Sequence, residues 1–359
     1  MNRRAFLLAT PAALAAGKFR LCLAGLTHDH ARGFLNTLLK RSDVELIGIS
    51  EPDTSLHTQY GTRFQLPAAA FHTSLPAMLD RLKPDAVATF TSTFDHMQVV
   101  AECARRRIPV MMEKPLAVSR EHARAIRDAA AKANIPVLVN YETTWYRSHA
   151  QLRREIEGPA AFGKIRKMVA MDGHQGPKEI NVGPEFLRWL TDPALNGAGA
   201  LFDFGCYGAN LMTWLMNNRR PDAVTARVQT FKPHIYARVD DEATILVEYP
   251  GAQGIIQASW NWPYSRKDFE VYTEHGYAHA NGGNKLRLLR PKTKDEELTT
   301  PPELPADESD PVSYLMAVVQ GRLKSSGLSS LENNLIANDI LVAARESART
   351  GETRKLPPA

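Results

Sequence analysis

The segment Val110–Leu116 carries residues that could perform acid–base chemistry at the end of a predicted strand. A short apolar run is followed at once by Glu113, Lys114 and Pro115. In an open parallel α/β sheet, ligands bind outside the carboxyl ends of the strands. A lysine held there, beside a proline whose φ is restricted, could act as a positioned acid or base. The alternative is a solvated Glu–Lys pair on a loop, and these residues alone leave both interpretations open.

A second candidate site is the turn after the first predicted strand, residues 25–30. In a dinucleotide-binding unit, a G-x-G-x-x-G turn places the pyrophosphate on a helix N-terminus. Only the first glycine is present here, and other residue types occupy the two later positions. The turn nevertheless follows a strand, opens a helix and precedes an acidic strand end. The residues expected to bind the cofactor are Gly25, Thr27, His28, His30 and Glu51. A carboxylate at Glu51 favours NAD over NADP, because it bonds ribose hydroxyls and repels a 2′-phosphate.

The histidines of this turn also raise the question of a metal ion. Zinc requires three or four ligands, and no partner cluster with ligand spacing accompanies His28 and His30 in the sequence. The three cysteines, Cys22, Cys103 and Cys206, are widely spaced and indicate neither a disulfide framework nor a zinc site. We therefore predict no metal site and interpret both histidines as phosphate-side or substrate-side residues.

The elements that must position these residues fall into two regions that differ in their hydrophobic pattern. From residue 19 to residue 140, short apolar strands alternate with amphipathic helices at βαβ spacing, which predicts a doubly wound parallel sheet. After Tyr141, segments with period-two alternation predict antiparallel strands at 165–171, 224–230, 243–249, 254–260 and 269–273. The predicted class is α/β, with a Rossmann domain over 18–140. An α+β domain with an open, mainly antiparallel sheet follows over 141–359.

The first seventeen of the 359 residues are typical of a twin-arginine export signal. A basic start with Arg3 and Arg4 leads into a short apolar run and small residues near Gly17. The run is too short to span a membrane. We expect a periplasmic or secreted protein; the alternative is a frayed N-terminal helix on a cytoplasmic one. Removing the two arginines lowers the formal charge from +5 to +3, spread along the chain, which does not favour nucleic-acid binding.

Three stretches, taken together, resemble the glucose–fructose oxidoreductase, inositol dehydrogenase (Gfo/Idh/MocA) family. They are the strand from Asp85, the loop 91–96 and the segment 110–116. In that family a strand ends in Glu-Lys-Pro, and the preceding loop carries proline four residues before a histidine. Here the histidine is His96, and Ser92 stands where proline is usual. The resemblance implies that Thr91, Ser92, His96 and Glu113 lie at the cofactor and that Lys114 lies beside the nicotinamide.

The block 197–210 is similar to the family's glycine-rich turn followed by Asp and by His or Tyr. Asp203 and Tyr207 are four residues apart and would face the same way on a helical turn. The resemblance covers nearly the whole chain after Gly17. It implies an NAD(P)-dependent oxidoreductase acting on a secondary hydroxyl of a sugar, polyol or sugar derivative. Tyr207 would take or relay the hydroxyl proton, Lys114 would bond the same hydroxyl, and Asp203 would orient Lys114 or the substrate.

Three more residues are expected to contact the substrate, and two alternative functions stay open. We expect His174, Trp145 and Asn210 to contact the substrate, although a loop histidine and a core tryptophan are the plain alternatives. A glycoside hydrolase with tightly held NAD and a non-catalytic nucleotide- or sugar-binding relative both stay open. By analogy with such folds, a homodimer or homotetramer is expected.

Overall fold

The computed structural model describes residues 17–356. The predicted export signal, residues 1–17, therefore lies outside the described residues except for Gly17, and export stays a prediction. Within the described part of the chain, no helix combines the length and apolar character needed to cross a membrane.

The first sheet has six parallel strands. These are β1 (Phe19–Ala24), β2 (Val44–Ser50), β3 (Phe71–His72), β4 (Ala86–Thr89), β5 (Val110–Glu113) and β6 (Val137–Asn140). Their order is β3-β2-β1-β4-β5-β6. The connecting helices are α1 (His30–Leu38), α2 (Thr54–Phe64), α3 (Leu75–Leu82), α4 (His96–Arg105) and α5 (Arg120–Ala133). The predicted doubly wound sheet is confirmed, and its strand order reverses between β1 and β4, which is where such sheets bind ligands.

Side-chain caps explain where several of these helices begin. Asp53 accepts a hydrogen bond from the Ser55 amide at the start of α2, and Ser119 accepts one from the His122 amide at the start of α5. Both bonds satisfy backbone N–H groups that have no partner inside the helix. At its other end α5 stops at Asn134, whose backbone is left-handed.

The second sheet is mixed but mainly antiparallel, as predicted. Its strands are β7 (Ile165–Gly173), β8 (Ala223–Gln229), β9 (Glu242–Tyr249), β10 (Ala252–Ser259), β11 (Arg266–Thr273), β12 (Tyr277–Asn281), β13 (Lys285–Leu289), β14 (Glu297–Thr299) and β15 (Arg354–Lys355). The order is β14-β13-β12-β11-β7-β10-β9-β8-β15. Among these pairs only β7 and β10 run parallel in the described chain. Five of the strands match predicted segments, whereas β12 to β15 were not predicted.

Seven helices follow β6 in the described chain. They are α6 (Arg147–Glu157), α7 (Pro184–Leu190), α8 (Pro193–Asn196), α9 (Ala200–Asp203), α10 (Gly205–Leu215), α11 (Pro311–Val319) and α12 (Leu331–Thr350). Helix α10 approaches the sheet closely, because a Cβ on Gly208 would lie 2.7 Å from Ile256 and 2.8 Å from Ala170. This contact holds the N-terminal turn of α10, and with it Tyr207, against the central strands β7 and β10 of the second sheet.

The C-terminal part of the chain returns to the first domain. Helix α11 packs Val312 and Leu315 into the core that also holds Leu21 of β1 and Leu35 of α1. Residues that the sequence places in the second domain therefore complete the core of the first.

Candidate functional site

Lys114 lies directly after β5, and its side chain contacts Asp203 of α9. Its Nζ donates hydrogen bonds to Asp203 Oδ1 at 2.5 Å and to the Asp203 carbonyl oxygen at 2.9 Å. Both side chains are buried. Burial lowers the pKa of Lys114, but the Asp203 carboxylate more than offsets it and leaves the pKa above its ordinary value. The Lys114–Pro115 peptide bond is cis. The interpretation of a solvated loop pair is wrong, because Lys114 is a buried ammonium group in an ion pair.

Asp203 is held from two further directions. Its Oδ2 accepts a hydrogen bond from Trp260 Nε1 at 2.9 Å, which makes Trp260 a partner of the carboxylate. Burial raises the pKa of Asp203, yet Lys114 brings it below its ordinary value. Helix α9 is anchored by Asp240, whose carboxylate accepts the amide protons of Gly199 at 2.9 Å and Leu201 at 2.7 Å. Asp240 was not predicted, because nothing in its local sequence ties it to this turn.

A cavity of about 250 Å³ opens in front of this ion pair. Five predicted site residues line it, and several apolar side chains form its rim. The lining residues are Asp29, His30, Lys114, His174, Pro177, Ile180, Val182, Phe186, Leu190, Asp203, Phe204, Tyr207 and Lys267. We call this space the catalytic pocket. The structure thus brings together Lys114, Asp203, Tyr207 and His174, as predicted, and adds Lys267 from β11, which was not.

Tyr207 forms one wall of the catalytic pocket with the face of its ring. The ring centroid lies 5.1 Å from Nζ of Lys114 and 5.1 Å from Nζ of Lys267, a geometry suited to cation–π attraction. Lys267 also forms an ion pair with Glu142. Burial raises the pKa of the Tyr207 phenol well above its ordinary value. Tyr207 is therefore a neutral phenol between two ammonium groups.

His174 enters the catalytic pocket from the end of β7. Its Nδ1 accepts a hydrogen bond from the Gly176 amide at 2.9 Å, and its ring packs edge-on against Phe204. Burial lowers the pKa of His174 to about 4. The neutral ring therefore carries its proton on Nε2, where it can donate a hydrogen bond.

His30 belongs to the catalytic pocket as well, although it was predicted on the cofactor turn. Its Nδ1 lies 2.9 Å from Oε2 of Glu113, the buried last residue of β5. The other oxygen of Glu113 accepts a hydrogen bond from Asn140 Nδ2 at 2.8 Å, and Asn140 Oδ1 accepts one from Trp145 Nε1 at 2.9 Å. Asn140, itself held by Trp145, therefore fixes the Glu113 carboxylate that His30 contacts.

A second cavity, of about 310 Å³, lies at the carboxyl ends of β1, β2 and β4. Gly25, Thr27, Glu51 and Thr91 line it together, as expected for the cofactor-binding residues. Gly25 has a φ of +85°, and a Cβ there would lie 2.5 Å from Thr91 Cγ2, so only glycine fits. Glu51 accepts the amide proton of Leu26 at 2.8 Å and thereby also holds the turn. Burial raises the pKa of Glu51 above its ordinary value. A glycine turn and an acidic end of the neighbouring strand fit a bound dinucleotide.

Four predicted cofactor residues lie behind the cavity walls in the described structure: Glu113, described above, and His28, Ser92 and His96. His28 is buried against Phe186, with ring centroids 4.5 Å apart. Ser92 donates a hydrogen bond to Asp95 Oδ2 at 2.6 Å. His96 is buried, with Nδ1 3.3 Å from the Leu116 carbonyl oxygen, and burial lowers its pKa to about 4. These side chains shape the loops that form the cavities.

Two predicted substrate residues lie away from the catalytic pocket. Trp145 lines a separate cavity of about 520 Å³. Asn210 is fully buried in α10, and its Nδ2 donates to the Leu328 carbonyl at 2.8 Å and to Asn334 Oδ1 at 3.1 Å. Neither side chain lines the catalytic pocket, and the structure does not bring them to Lys114.

His28 and His30 acquire in the fold a third potential metal ligand that the sequence did not indicate. One atom each of His28, His30 and Glu113 lies within 4.8 Å of the others. However, His28 Nδ1 accepts the His30 amide proton at 3.1 Å, and His30 Nδ1 is bonded directly to Glu113. These three side chains are therefore a hydrogen-bonded cluster, and we assign no metal to it.

Comparison with known proteins agrees with this geometry. Residues 19–141 match the oxidoreductase family with an NAD-binding Rossmann fold (GFO_IDH_MocA), and residues 149–279 match the GFO/IDH/MocA C-terminal domain. The chain belongs to the Gfo/Idh/MocA family. Its Rossmann domain is thus of the NAD-binding kind, and an NAD(P)-dependent oxidoreductase is confirmed at the level of the family.

Individual relatives are distant. A trans-1,2-dihydrobenzene-1,2-diol dehydrogenase from Xenopus laevis is 28% identical over 164 residues, and the chain spans only 46% of that relative's length. A D-apiose dehydrogenase from Rhizobium rhizogenes is 23% identical over 75% of this chain and 78% of its own. An inositol dehydrogenase homologue from Azotobacter vinelandii, solved with NADH and myo-inositol, superimposes with a TM-score of 0.79. It is 17% identical and the alignment covers 95% of this chain and 98% of that one, which shows the shared fold.

Proposed function

We propose that this family member oxidises a secondary hydroxyl group of a sugar, polyol or sugar derivative with NAD. The observation that carries the proposal is the buried Lys114–Asp203 ion pair on the wall of the catalytic pocket, at the carboxyl end of β5. The cavity containing Gly25 and Glu51 lies at the ends of the neighbouring strands of the same sheet. The diol dehydrogenase, the D-apiose dehydrogenase and the inositol dehydrogenase homologue among its relatives support this substrate class.

The charges of the site explain how the protein would assist the reaction. NAD, when bound, supplies the hydride acceptor. The Lys114 ammonium group donates a hydrogen bond to the reacting hydroxyl oxygen and stabilises the negative charge that develops on it. Asp203 keeps Lys114 charged and oriented, and Trp260 keeps Asp203 in place. The apolar rim, which includes Ile180 and Phe186, excludes water and strengthens these interactions.

We further propose that Glu51 selects NAD over NADP, that residues 1–17 direct twin-arginine export, and that the protein is a homo-oligomer. The first rests on a buried carboxylate at the adenosine end of the cofactor cavity. The second rests on the sequence of residues 1–17 alone. The third rests on analogy with folds that present an open sheet.

NADH formation tests the oxidoreductase proposal. We would supply purified protein and NAD with myo-inositol, D-apiose, D-glucose and glycerol in turn, and follow NADH absorbance. We expect turnover of at least one of them.

Lys114→Ala should lower kcat by about 10²-fold or more while NAD still binds. Lys285→Ala, an exposed position on β13, is the matched control and should behave as wild type. Normal turnover by Lys114→Ala would refute the assignment. Cleavage of aryl glycosides without net NADH would instead indicate a hydrolase that recycles its cofactor.

A further inference from the structure

The cavity of about 520 Å³ that Trp145 lines is separate from the catalytic pocket and from the cofactor cavity. It has no lining residue in common with either of them. Three aromatic side chains form part of its walls, namely Trp145 from the segment before α6, Trp214 of α10 and Tyr314 of α11. Its volume is about twice that of the catalytic pocket and lies in the range of about 300–1,000 Å³ that is typical of small-molecule sites. We call it the aromatic cavity.

The three aromatic rings are held in place by the protein itself. Tyr314 Oη donates a hydrogen bond to the Ser326 carbonyl oxygen at 2.9 Å. Trp145 packs against Tyr314, with ring centroids 5.8 Å apart, and the Arg153 guanidinium group lies 4.8 Å from the centroid of the Trp214 ring. Rings that are fixed before a ligand arrives bind it at a lower entropic cost. The aromatic cavity is therefore preformed.

Polar groups without a partner in the described chain also belong to the lining. Ser329 is 1% exposed, and its Oγ makes no hydrogen bond with any described residue. Thr144 Oγ1 is buried and unpaired in the same way. Asn217 and Asn218 add two carboxamide groups. Buried polar groups in proteins are almost always hydrogen-bonded, and a ligand with hydroxyl groups can supply the partners that the described chain does not.

The charges around the aromatic cavity balance. Its described lining contains three charged residues, Arg153, Glu308 and Lys324. Arg153 forms an ion pair with Glu157, with Nε 2.9 Å from Oε1. One acid and one base are left, and both are exposed. The described lining therefore carries no excess charge that would select an anion or a cation.

We propose that the aromatic cavity binds a neutral carbohydrate, separately from the catalytic pocket. A pyranose ring combines a face of C–H groups, which packs on aromatic rings, with hydroxyl groups that both donate and accept hydrogen bonds. An apolar ligand would fill the same volume but would leave Ser329 Oγ and Thr144 Oγ1 without partners. The proposal goes beyond the oxidation reaction and does not depend on it. It also gives Trp145 a role in sugar binding at a place other than the predicted one.

Calorimetric titration of the full chain, without NAD, tests the proposal. D-glucose, maltose and sucrose serve as probes. We expect at least one of them to bind to wild type, and Trp214→Ala to weaken that binding by about tenfold or more, because aromatic anchors dominate such sites. Ser329→Ala removes only the unpaired hydroxyl group and should weaken binding by about threefold to tenfold. Phe231→Ala removes an aromatic side chain that is 56% exposed and outside the cavity, so this matched control should bind as wild type does.

Two further measurements identify the site and the ligand class. Lys114→Ala should still bind the same sugar, because Lys114 lies outside the aromatic cavity. D-glucuronate, an anionic counterpart of D-glucose, should bind no more tightly than D-glucose, and tighter binding would contradict a neutral ligand. Should Trp214→Ala fail to fold, Ser329→Ala decides alone, since it leaves the aromatic rings in place.

Three results would each overturn the proposal. They are no binding of any of the three probes to wild type, unchanged affinity in Trp214→Ala and Ser329→Ala, and loss of all sugar binding in Lys114→Ala, which would place the sugar in the catalytic pocket. The titrations do not measure NADH. A failure of the oxidoreductase proposal in the NADH assay would therefore leave them unaffected, and the two failures are distinguishable.

Discussion

The Lys114–Asp203 ion pair allows a quantitative test of how the buried site is held together. In Asp203→Asn the side chain keeps its size but loses its charge, so Lys114 becomes a buried ammonium group without a counter-ion. Two unit charges 2.5 Å apart attract by about 7 kcal/mol at an effective dielectric constant of about 20. Most of that attraction offsets the cost of burying the two charges. Removing one partner of a buried pair typically lowers the free energy of unfolding by about 3–5 kcal/mol, and we expect a loss of this size.

A double-mutant cycle separates the pair from its two members. Lys114→Met alone should also be strongly destabilising, because it leaves the Asp203 carboxylate buried with Trp260 as its remaining side-chain partner. The double variant, Asp203→Asn with Lys114→Met, buries no charge at this position, so it should be little worse than either single variant. The coupling free energy should then be about 3 kcal/mol.

Urea unfolding followed by tryptophan fluorescence measures all four proteins. Trp260 reports on the site directly, because its Nε1 donates to Asp203. Arg354→Ala, on the edge strand β15, serves as a control for a charge removed elsewhere on the second sheet. Additive losses in the double variant, or an Asp203→Asn variant as stable as wild type, would refute the conclusion that the pair is a coupled buried unit.

The cofactor turn and the buried histidines respond to different perturbations. Gly25→Ala should weaken NAD binding by about tenfold or more in a fluorescence titration, because φ is +85° and the new Cβ would displace Thr91; unchanged affinity would show that the turn adapts. The pKa values of His96 and His149 are each lowered by burial to about 4 in the folded protein. The unfolded chain therefore binds more protons below its histidine pKa of about 6.5, and the free energy of unfolding should fall as pH drops from about 6.5 toward about 4. Urea midpoints across this range check the slope, and a His96→Gln variant should show a shallower one.

Much of the fold was predictable because its signals are local. The alternation of apolar strands and capped helices from β1 to β6 is visible within short windows, and Ser119 marks the start of α5 directly. The strands β12 and β13, of five residues each, were missed because so short a segment shows little periodicity; each forms by pairing with a neighbour already in the sheet. Helix α7, with seven residues, was missed for the same reason.

The candidate site was only partly predictable. Gly25, Glu51, Lys114, Asp203 and Tyr207 lie where the motifs indicated. Lys267 and Asp240 carry no motif, and their roles depend on contacts with residues distant in the chain. Trp145 and Asn210 were expected at the substrate because of their type and position, but their side chains bond to Asn140 and to Leu328 instead.

The sequence by itself determined the order of the elements and placed Glu113 and Lys114 at the end of β5, because strand ends and turns follow from short-range patterns. Only the tertiary structure decided what faces Lys114. Asp203 lies 89 residues away in the chain, and its approach depends on how α9 and α10 pack against the second sheet. The fold likewise turned His30 into the catalytic pocket and directed Trp145 away from it. Side-chain direction depends on the rotation of each element against its neighbours, and local sequence patterns do not specify that rotation.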